Sequence, residues 1–325
     1  MNPPDWTDEN AALIHVAPSP HINDASARTQ KMMTDVILAL LPVIILSIYL
    51  FKFYAVKQLF ICIITCMGAE FLFVKMRGKT LTLKDCSAVV TGIILALSLP
   101  GSAPWFVGVL ASVVAIGIGK IIFGGLGMNI FNPAMVGRAF VMIAFAQLMG
   151  AASYENVTGL VDAVSGATPL SALKFNGLST GTASLFWGTT NGSLGETSTA
   201  ACLLGGLFLV FRKTASWQIP AGILLSVALI AGITDIAGSH SGFALVHHLF
   251  GGALMFGAFF IATDPVTSPL TPRGKWIFGL GTGFLIMIIR LFSGYPEGVM
   301  FAVLMMNAVT PLINRWTTPQ PMGEA

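Results

Sequence analysis

Between residues 162 and 168 the chain reads Asp162-Ala163-Val164-Ser165-Gly166-Ala167-Thr168, and Pro169 comes next. Two hydroxyls stand among side chains too small to crowd them. Gly166 has no Cβ and so permits a tight turn or close backbone approach. Pro169 biases Thr168 away from helix towards extended backbone, which presents its hydroxyl on a loop. The chemistry such a hydroxyl suits is esterification by a flavin phosphate. That bond needs a reachable oxygen on flexible backbone, with clearance for both the modifying enzyme and the isoalloxazine ring. Thr168 is the expected acceptor, Ser165, Gly166 and Ala167 supply the clearance, and Asp162 is assigned to orienting the phosphate or the attaching enzyme's metal. The same residues also make an ordinary turn in a loop of small side chains, so their setting has to decide.

That setting is a membrane. Charged residues are 10% of the 325 positions and hydrophobic ones 55%, whereas a soluble domain carries about 25% charged residues. The net charge of +3 is not gathered into a basic patch interleaved with exposed aromatics, so nucleic acid is excluded as a partner. Ten apolar segments approach the roughly 20 residues needed to cross a bilayer: 36–51, 55–74, 86–100, 104–123, 132–149, 199–211, 217–237, 246–263, 275–292 and 297–314. The third and sixth are short, which suits helices that tilt little, lie partly beneath neighbours or are broken and shielded inside the protein. The polar stretch 1–35 lacks the basic start and apolar core of a cleavable signal peptide and is expected to remain attached.

Lysine and arginine set the orientation. With a cytoplasmic N-terminus, that side receives Arg28, Lys31, Lys75, Arg77, Lys79, Lys84, Lys120, Arg212, Lys213, Arg273, Lys275 and Arg315. The other side receives Lys52, Lys57, Lys174 and Arg290. The positive-inside bias then puts both termini in the cytoplasm and Thr168 in an extracytoplasmic loop. Residues 90–135 also echo 255–306: Phe256-Gly257, Asp264-Pro265 and Phe292-Ser293-Gly294 match the places of Thr-Gly, Leu-Pro-Gly and Phe123-Gly124-Gly125. Five helices per unit is an odd number, so the two copies run in opposite senses, as in an inverted repeat. The expected organisation is a cytoplasmic arm 1–35, a first five-helix repeat 36–149, the loop 150–198, a second repeat 199–314 and a tail 315–325. The Gly- and Pro-rich junctions 123–133 and 264–273 are where helices would break, exposing amides to a polar or anionic group. Their ordinary alternative is loop chemistry, with Asn132 as a helix cap before Pro133.

Ionisable residues inside apolar segments are costly and therefore suggestive. Lys120, Asp235 and Arg290 lie near segment ends, where snorkelling suffices. Glu70 and Arg138 lie deeper, to pair with another charge, touch a cofactor or meet a neighbouring subunit. Cys62, Cys66, Cys86 and Cys202 have no metal-binding spacing and suit packing. His240, His247 and His248 read as interfacial.

Over nearly its whole length the chain resembles the D subunits of the Rnf complex. The similarity runs through Leu83-Lys-Asp85-x-Ser87-Ala88-x-x-Thr91-Gly92, Leu99-Pro and Gly124-Gly-Leu-Gly-x-Asn129-x-Phe-Asn132-Pro-Ala-Met135. It continues in Gly257-Ala-Phe-Phe-x-x-Thr-Asp264-Pro-Val, Arg273-Gly274 and Ile289-Arg290-x-x-x-Gly294-Tyr-Pro-x-Gly298-Val-x-Phe-Ala302-Val-Leu. The architecture is shared with the B subunit of the sodium-pumping NADH:quinone oxidoreductase. The resemblance implies an all-α protein of about ten transmembrane helices in the bacterial inner membrane, with FMN joined to Thr168 through its phosphate by an extracytoplasmic flavin transferase. It further implies a second, non-covalent riboflavin, and a complex with the A, B, C, E and G subunits of Rnf that couples electron flow between ferredoxin and NAD to Na+ or H+ movement. The chain itself has no G-x-G-x-x-G after a strand and no iron–sulfur cysteine run, so ferredoxin and NAD fall to the other subunits. The rival class is a flavin-free transporter or channel for a small solute on the same inverted repeat; the third reading is a structural anchor.

Overall fold

The computed structural model describes residues 25–79, 83–150, 153–154, 164–165, 168–177, 179–196, 198–236, 245–295 and 297–319. Each expected apolar segment is helical there. The first two are long helices, α1 (Ala25–Phe51) and α2 (Phe53–Met76). α1 begins well before position 36, because its polar first turns have a partner: Asp35 accepts from Arg212 Nη2 at 2.9 Å and Thr214 Oγ1 at 3.0 Å.

Three short helices come next. α3 (Ser87–Ser98) starts where the Asp85 carboxylate takes the Ser87 N–H at 2.8 Å, and it stops before Pro100. α4 (Trp105–Ile116) runs into a π-helical turn, Gly117–Ile121, closed by Ile122 N–H donating to Gly117 O at 3.0 Å. α5 (Pro133–Ala144) is capped by Asn132, whose side chain accepts from Ala134 N and Met135 N, the expected use of an Asn before a first-turn proline. A five-residue helix α6 (Ala146–Gly150) leads to an antiparallel pair of two-residue strands, β1 (Ser153–Tyr154) and β2 (Val164–Ser165), then α7 (Pro169–Asn176) and α8 (Thr182–Trp187).

The second set comprises α9 (Thr199–Phe211), α10 (Gln218–Ile236), a broken span of α11 (Leu245–Phe250) and α12 (Leu254–Phe256), α13 (Pro272–Phe292) and α14 (Val299–Thr317). α12 continues into a second five-residue π turn, Gly257–Ile261, closed by Ala262 N–H to Gly257 O at 2.8 Å. A π turn carries one extra residue inside a helix and re-aims the residues beyond it.

Helix packing runs in the same order in both sets. α2 lies along α3 and α4, and α4 along α5; α10 lies along α11 and α13, and α13 along α14. Between the sets α1 packs on α9 and α5 on α14. In lipid no hydrophobic force draws helices together, so close backbone approach through small residues matters. At Gly205 of α9 a Cβ would sit 2.0 Å from the Ala39 carbonyl oxygen of α1, and at Gly279 of α13 it would sit 2.7 Å from Ile219 O of α10. Either close approach requires glycine.

Among the described residues, five helices are long and apolar enough to span a bilayer: residues 29–51, 53–76, 218–236, 272–292 and 299–317. Large apolar side chains such as Phe60, Phe211 and Phe292 stand exposed on the helix surfaces, which suits a lipid environment. The chain is an all-α integral membrane protein whose shorter helices are completed by their neighbours. α3 is the clearest case: its terminal carbonyls at Leu97 and Leu99 accept from Gly195 N (2.7 Å) and Leu194 N (3.2 Å). A backbone that breaks at membrane depth needs such partners.

Candidate functional site

Two clefts lie at opposite ends of the bundle. One is at the end where α1 begins, the other at the end where α3 and α13 stop. Thr168 borders the second.

Thr168 is the N-cap of α7. Its backbone is extended (φ −60°, ψ 155°), and Oγ1 accepts from Ser171 N at 3.3 Å and shares a 2.8 Å hydrogen bond with Ser171 Oγ. The Thr-Pro pair produces this locally: Pro169 cannot donate and fits the first helical turn, while the threonine hydroxyl satisfies an orphan amide. α7 is held to the membrane helices in two ways. Leu170 and Leu173 are buried, with Leu170 packed where Gly251 and Gly252 break the eighth span. Lys174 Nζ donates to Arg290 O at 2.7 Å and also to Ser293 O, closing the C-terminus of α13. Ser165 pairs with Ser153 across the small ladder. Asp162, Gly166 and Ala167 lie outside the described residues.

The cleft beside Thr168 spans about 770 Å3, its mouth included, and is lined by Thr168, Ser171, Pro100, Met142, Met149, Tyr295 and a group of charges. At the centre is Arg138 of α5, 7% exposed. Its Nη2 lies 3.1 Å from Glu196 Oε1 and 3.5 Å from Glu297 Oε2. Glu196 is carried by the turn that hooks onto the end of α3, and its Oε2 accepts from Ser193 N at 3.4 Å. Glu297 sits in the loop between α13 and α14. Burial, and then the Glu196 carboxylate beside it, push the Glu297 carboxyl above the ordinary carboxylate range. Two donors on the wall are left over: among the described residues Arg138 Nε and Ser193 Oγ are buried without a hydrogen-bond partner. Such atoms cost free energy unless something accepts from them.

The opposite cleft also spans about 770 Å3 and is lined by Met33, Thr91, Lys120, Asn129, Asn132, Phe260 and Asp264, among others. Lys120 comes from the first π turn. Its Nζ donates to Glu70 Oε1 at 2.7 Å and to Ser87 Oγ at 2.6 Å, and Ser87 Oγ donates on to Asp85 Oδ1 at 2.6 Å. The Asn132 backbone N–H donates to Asn307 Oδ1 of α14 at 3.2 Å, and Asn307 Nδ2 to Thr267 O at 3.2 Å, so the two polar junctions are tied together. Asn129 Oδ1 is buried without a partner among the described residues.

Some expectations change here. Glu70 and Arg138 take the first of the roles open to them and pair with other charges. Lys120 and Arg290 do not snorkel: each is nearly fully buried and turned inward, Arg290 donating to His248 O at 2.6 Å and Gly251 O at 3.0 Å across the helix break. His248 is buried behind it rather than interfacial, and His240 lies outside the described residues. Two residues of the site had not been singled out. Glu196 lies in what reads as a plain polar loop, and Glu297 fills the open position of the Tyr-Pro-x-Gly pattern. Its signal was an acidic residue at the very first position of an apolar segment.

Comparison with known proteins places the whole chain. Residues 15–323 match the model of the NQR2, RnfD, RnfE family. The chain is 41% identical to the D subunit of a Na+-translocating ferredoxin:NAD+ oxidoreductase complex from Acetobacterium woodii, over 97% of this chain and 96% of that one. It is 41% identical to the D subunit of a proton-translocating ferredoxin:NAD+ oxidoreductase complex from Clostridium ljungdahlii, over 96% of each. It is 36% identical to the D subunit of an ion-translocating oxidoreductase complex from Actinobacillus succinogenes, over 96% of this chain and 98% of that one.

Proposed function

This chain belongs to the NQR2, RnfD, RnfE family, and from that premise we propose that it is the membrane-embedded, flavin-carrying D subunit of an ion-translocating ferredoxin:NAD+ oxidoreductase complex. It works with the A, B, C, E and G subunits, which hold the ferredoxin and NAD sites. FMN is attached to Thr168 on the extracytoplasmic side of the inner membrane by a separate flavin transferase, and the termini are cytoplasmic. The carrying observation is the position of the Thr168 hydroxyl, at the start of α7 and on the wall of a cleft with buried, unanswered donors.

The residues present fit the group. A phosphate on Thr168 Oγ1 meets the N-terminus of α7, where free amides and the helix dipole favour negative charge by about 0.3–1 kcal/mol. Ser171 keeps its N–H directed at the ester oxygen. Leu170 and Lys174 hold the helix in place, while Pro100, Met142 and Met149 form apolar wall that limits water. Arg138 Nε and Ser193 Oγ offer hydrogen bonds to the acceptor atoms of a ring. When bound, the flavin supplies the electron-carrying chemistry, and the protein sets its place, burial and surrounding charge. The second flavin, riboflavin, is assigned to the opposite cleft, where Asn129 and Lys120 offer polar contacts between apolar walls. The matched packing order of the two helix sets supports the inverted duplication, in which cofactor sites fall near the interface of the halves.

Intact-mass measurement of the purified subunit tests the reading. The wild-type chain is expected to exceed its sequence mass by FMN less water and to fluoresce in a denaturing gel, and Thr168→Ala is expected to lose both. A fluorescent, mass-shifted Thr168→Ala chain would overturn the assignment. A wild-type chain at its plain sequence mass would favour a flavin-free transporter.

A further inference from the structure

The charges at the Thr168 cleft have a stoichiometry that structural ion pairing does not need. One guanidinium nitrogen, Arg138 Nη2, faces two carboxylates, Glu196 at 3.1 Å and Glu297 at 3.5 Å. Each charge comes from a different element: Arg138 from α5, Glu196 from the turn hooked to α3, Glu297 from the loop before α14. Arg290 of α13 approaches from the far side, since a Cβ at Gly252 would touch both Arg290 Nη2 (3.4 Å) and Glu297 Cγ (3.5 Å). Behind it on α11 is His248, whose carbonyl Arg290 holds. Lys174 of α7 is directed away, onto the carbonyls that end α13. Thus Glu297 is faced by Glu196, Arg138 and Arg290.

At a pH above the raised folded value of Glu297 both carboxylates are ionised, and those four groups sum to zero. One added proton leaves the cluster with a single positive charge. That is the complement of one electron placed on a group in the same cleft, and at low dielectric an uncompensated charge is expensive. The cleft has the further mark of a ligand site: Arg138 Nε and Ser193 Oγ, on residues 7% and 6% exposed, are donors without a partner among the described residues.

We propose that Glu196, Arg138 and Glu297 form a proton-exchanging cluster that compensates charge on the flavin at Thr168, a proton joining Glu297 when an electron reaches the ring and leaving when the electron moves on. The inference rests on the flavin reading above. In the forward step one electron comes from the complex's redox donor and one proton from solvent through the open mouth of the cleft. The bond formed is a carboxyl O–H on Glu297, and the reverse step breaks it. Arg138 stays charged throughout and holds the two carboxylates at a common nitrogen. Glu297 is the better placed of the two to exchange: its side chain is 17% exposed against 3% for Glu196. Burial, and then the second acid beside it, raise the proton affinity of Glu297 against the pull of the two arginines.

The test is a redox titration of the covalent flavin in the purified complex across a range of pH, monitored by its absorbance, after intact mass has established that the flavin is attached. In the wild type the midpoint potential is expected to fall with pH more steeply than the ring alone accounts for, by up to one proton per electron. Glu297→Gln is expected to lose that extra slope, and Glu196→Gln to diminish it. A merely structural role would displace the potential equally at all pH and leave the slope unchanged. Proton uptake counted with an indicator dye on reduction of the wild-type complex is the second measurement and needs no variant. Wild-type slopes in both variants, or a wild-type uptake no greater than that of the ring itself, would overturn the proposal while leaving the flavin assignment intact. Absence of flavin from wild-type Thr168 would instead overturn the reading beneath it.

Discussion

The two clefts are opposite in how they balance charge. At the end where α1 begins, Lys120 is answered by Glu70 and Ser87, with Asp85 behind the serine. The cation has two acceptors for its three N–H donors and is held in place by them. At the Thr168 end a single guanidinium serves two carboxylates, and one of its nitrogens is unused. Both are buried ion pairs, so burial does not tell a strut from a working site. The difference lies in how many carboxylates meet the cation directly and in the kind of atom left over among the described residues: donors on Arg138 and Ser193 at the Thr168 end, an acceptor on Asn129 at the other.

The largest effect should come from breaking the locked pair. Lys120→Met strands Glu70 in the protein interior, and loss of one partner of a buried pair costs about 3–5 kcal/mol. We expect a large drop in thermal stability in detergent, recovered by adding Glu70→Leu, since an apolar pair of similar volume is often neutral or better. No recovery in the double variant would mean that Glu70 has a role outside the pair.

The Thr168 end should instead respond to pH. Glu297 holds its proton more tightly folded than unfolded, so its favourable contribution is complete below the ordinary carboxylate value. It is lost as pH rises towards the raised folded value, with a slope of at most about 1.4 kcal/mol per pH unit for one proton. Thermal unfolding of wild type and Glu297→Gln in parallel should give a declining curve and a flatter one. Parallel curves would show that the two clefts are more alike than their geometry implies.

How far sequence reasoning reached has the same division. The ten apolar segments fall on helices in the structure, because burial in lipid leaves a long compositional trace, and Asn132-Pro133 and Thr168-Pro169 are caps that local chemistry dictates. Lys120 and Arg290 were misjudged because distance from a helix end says nothing about which way a side chain turns; the π turn at Gly117 carries Lys120 inward. Glu196 read as loop because a segment that re-enters to satisfy the carbonyls of α3 is as polar as one that stays outside. Pairings across 58 positions, as between Arg138 and Glu196, leave no periodicity in one chain. The orientation and the flavin on Thr168 still rest on sequence.

Smaller changes sharpen the comparison at the clamp on α7. Lys174→Met removes the donor to the end of α13 and should loosen 169–176 by roughly 1–2 kcal/mol. Amide exchange would quicken there and stay unchanged around Lys120. Smaller still, Thr168→Ala removes a cap worth about 1 kcal/mol locally, and Thr168→Ser should restore exchange protection of α7.

Among the described residues, the hold on Thr168 comes from residues C-terminal to it: the turn of helix it caps, Leu170 in the notch of the broken span, and Lys174 on the last carbonyls of α13. The Thr168 hydroxyl is therefore expected to keep its address whatever the number of residues leading up to it. Lengthening the chain ahead of residue 153 should leave flavin loading untouched, whereas a single residue inserted between Thr168 and Lys174 should abolish it by rotating the hydroxyl off the cleft.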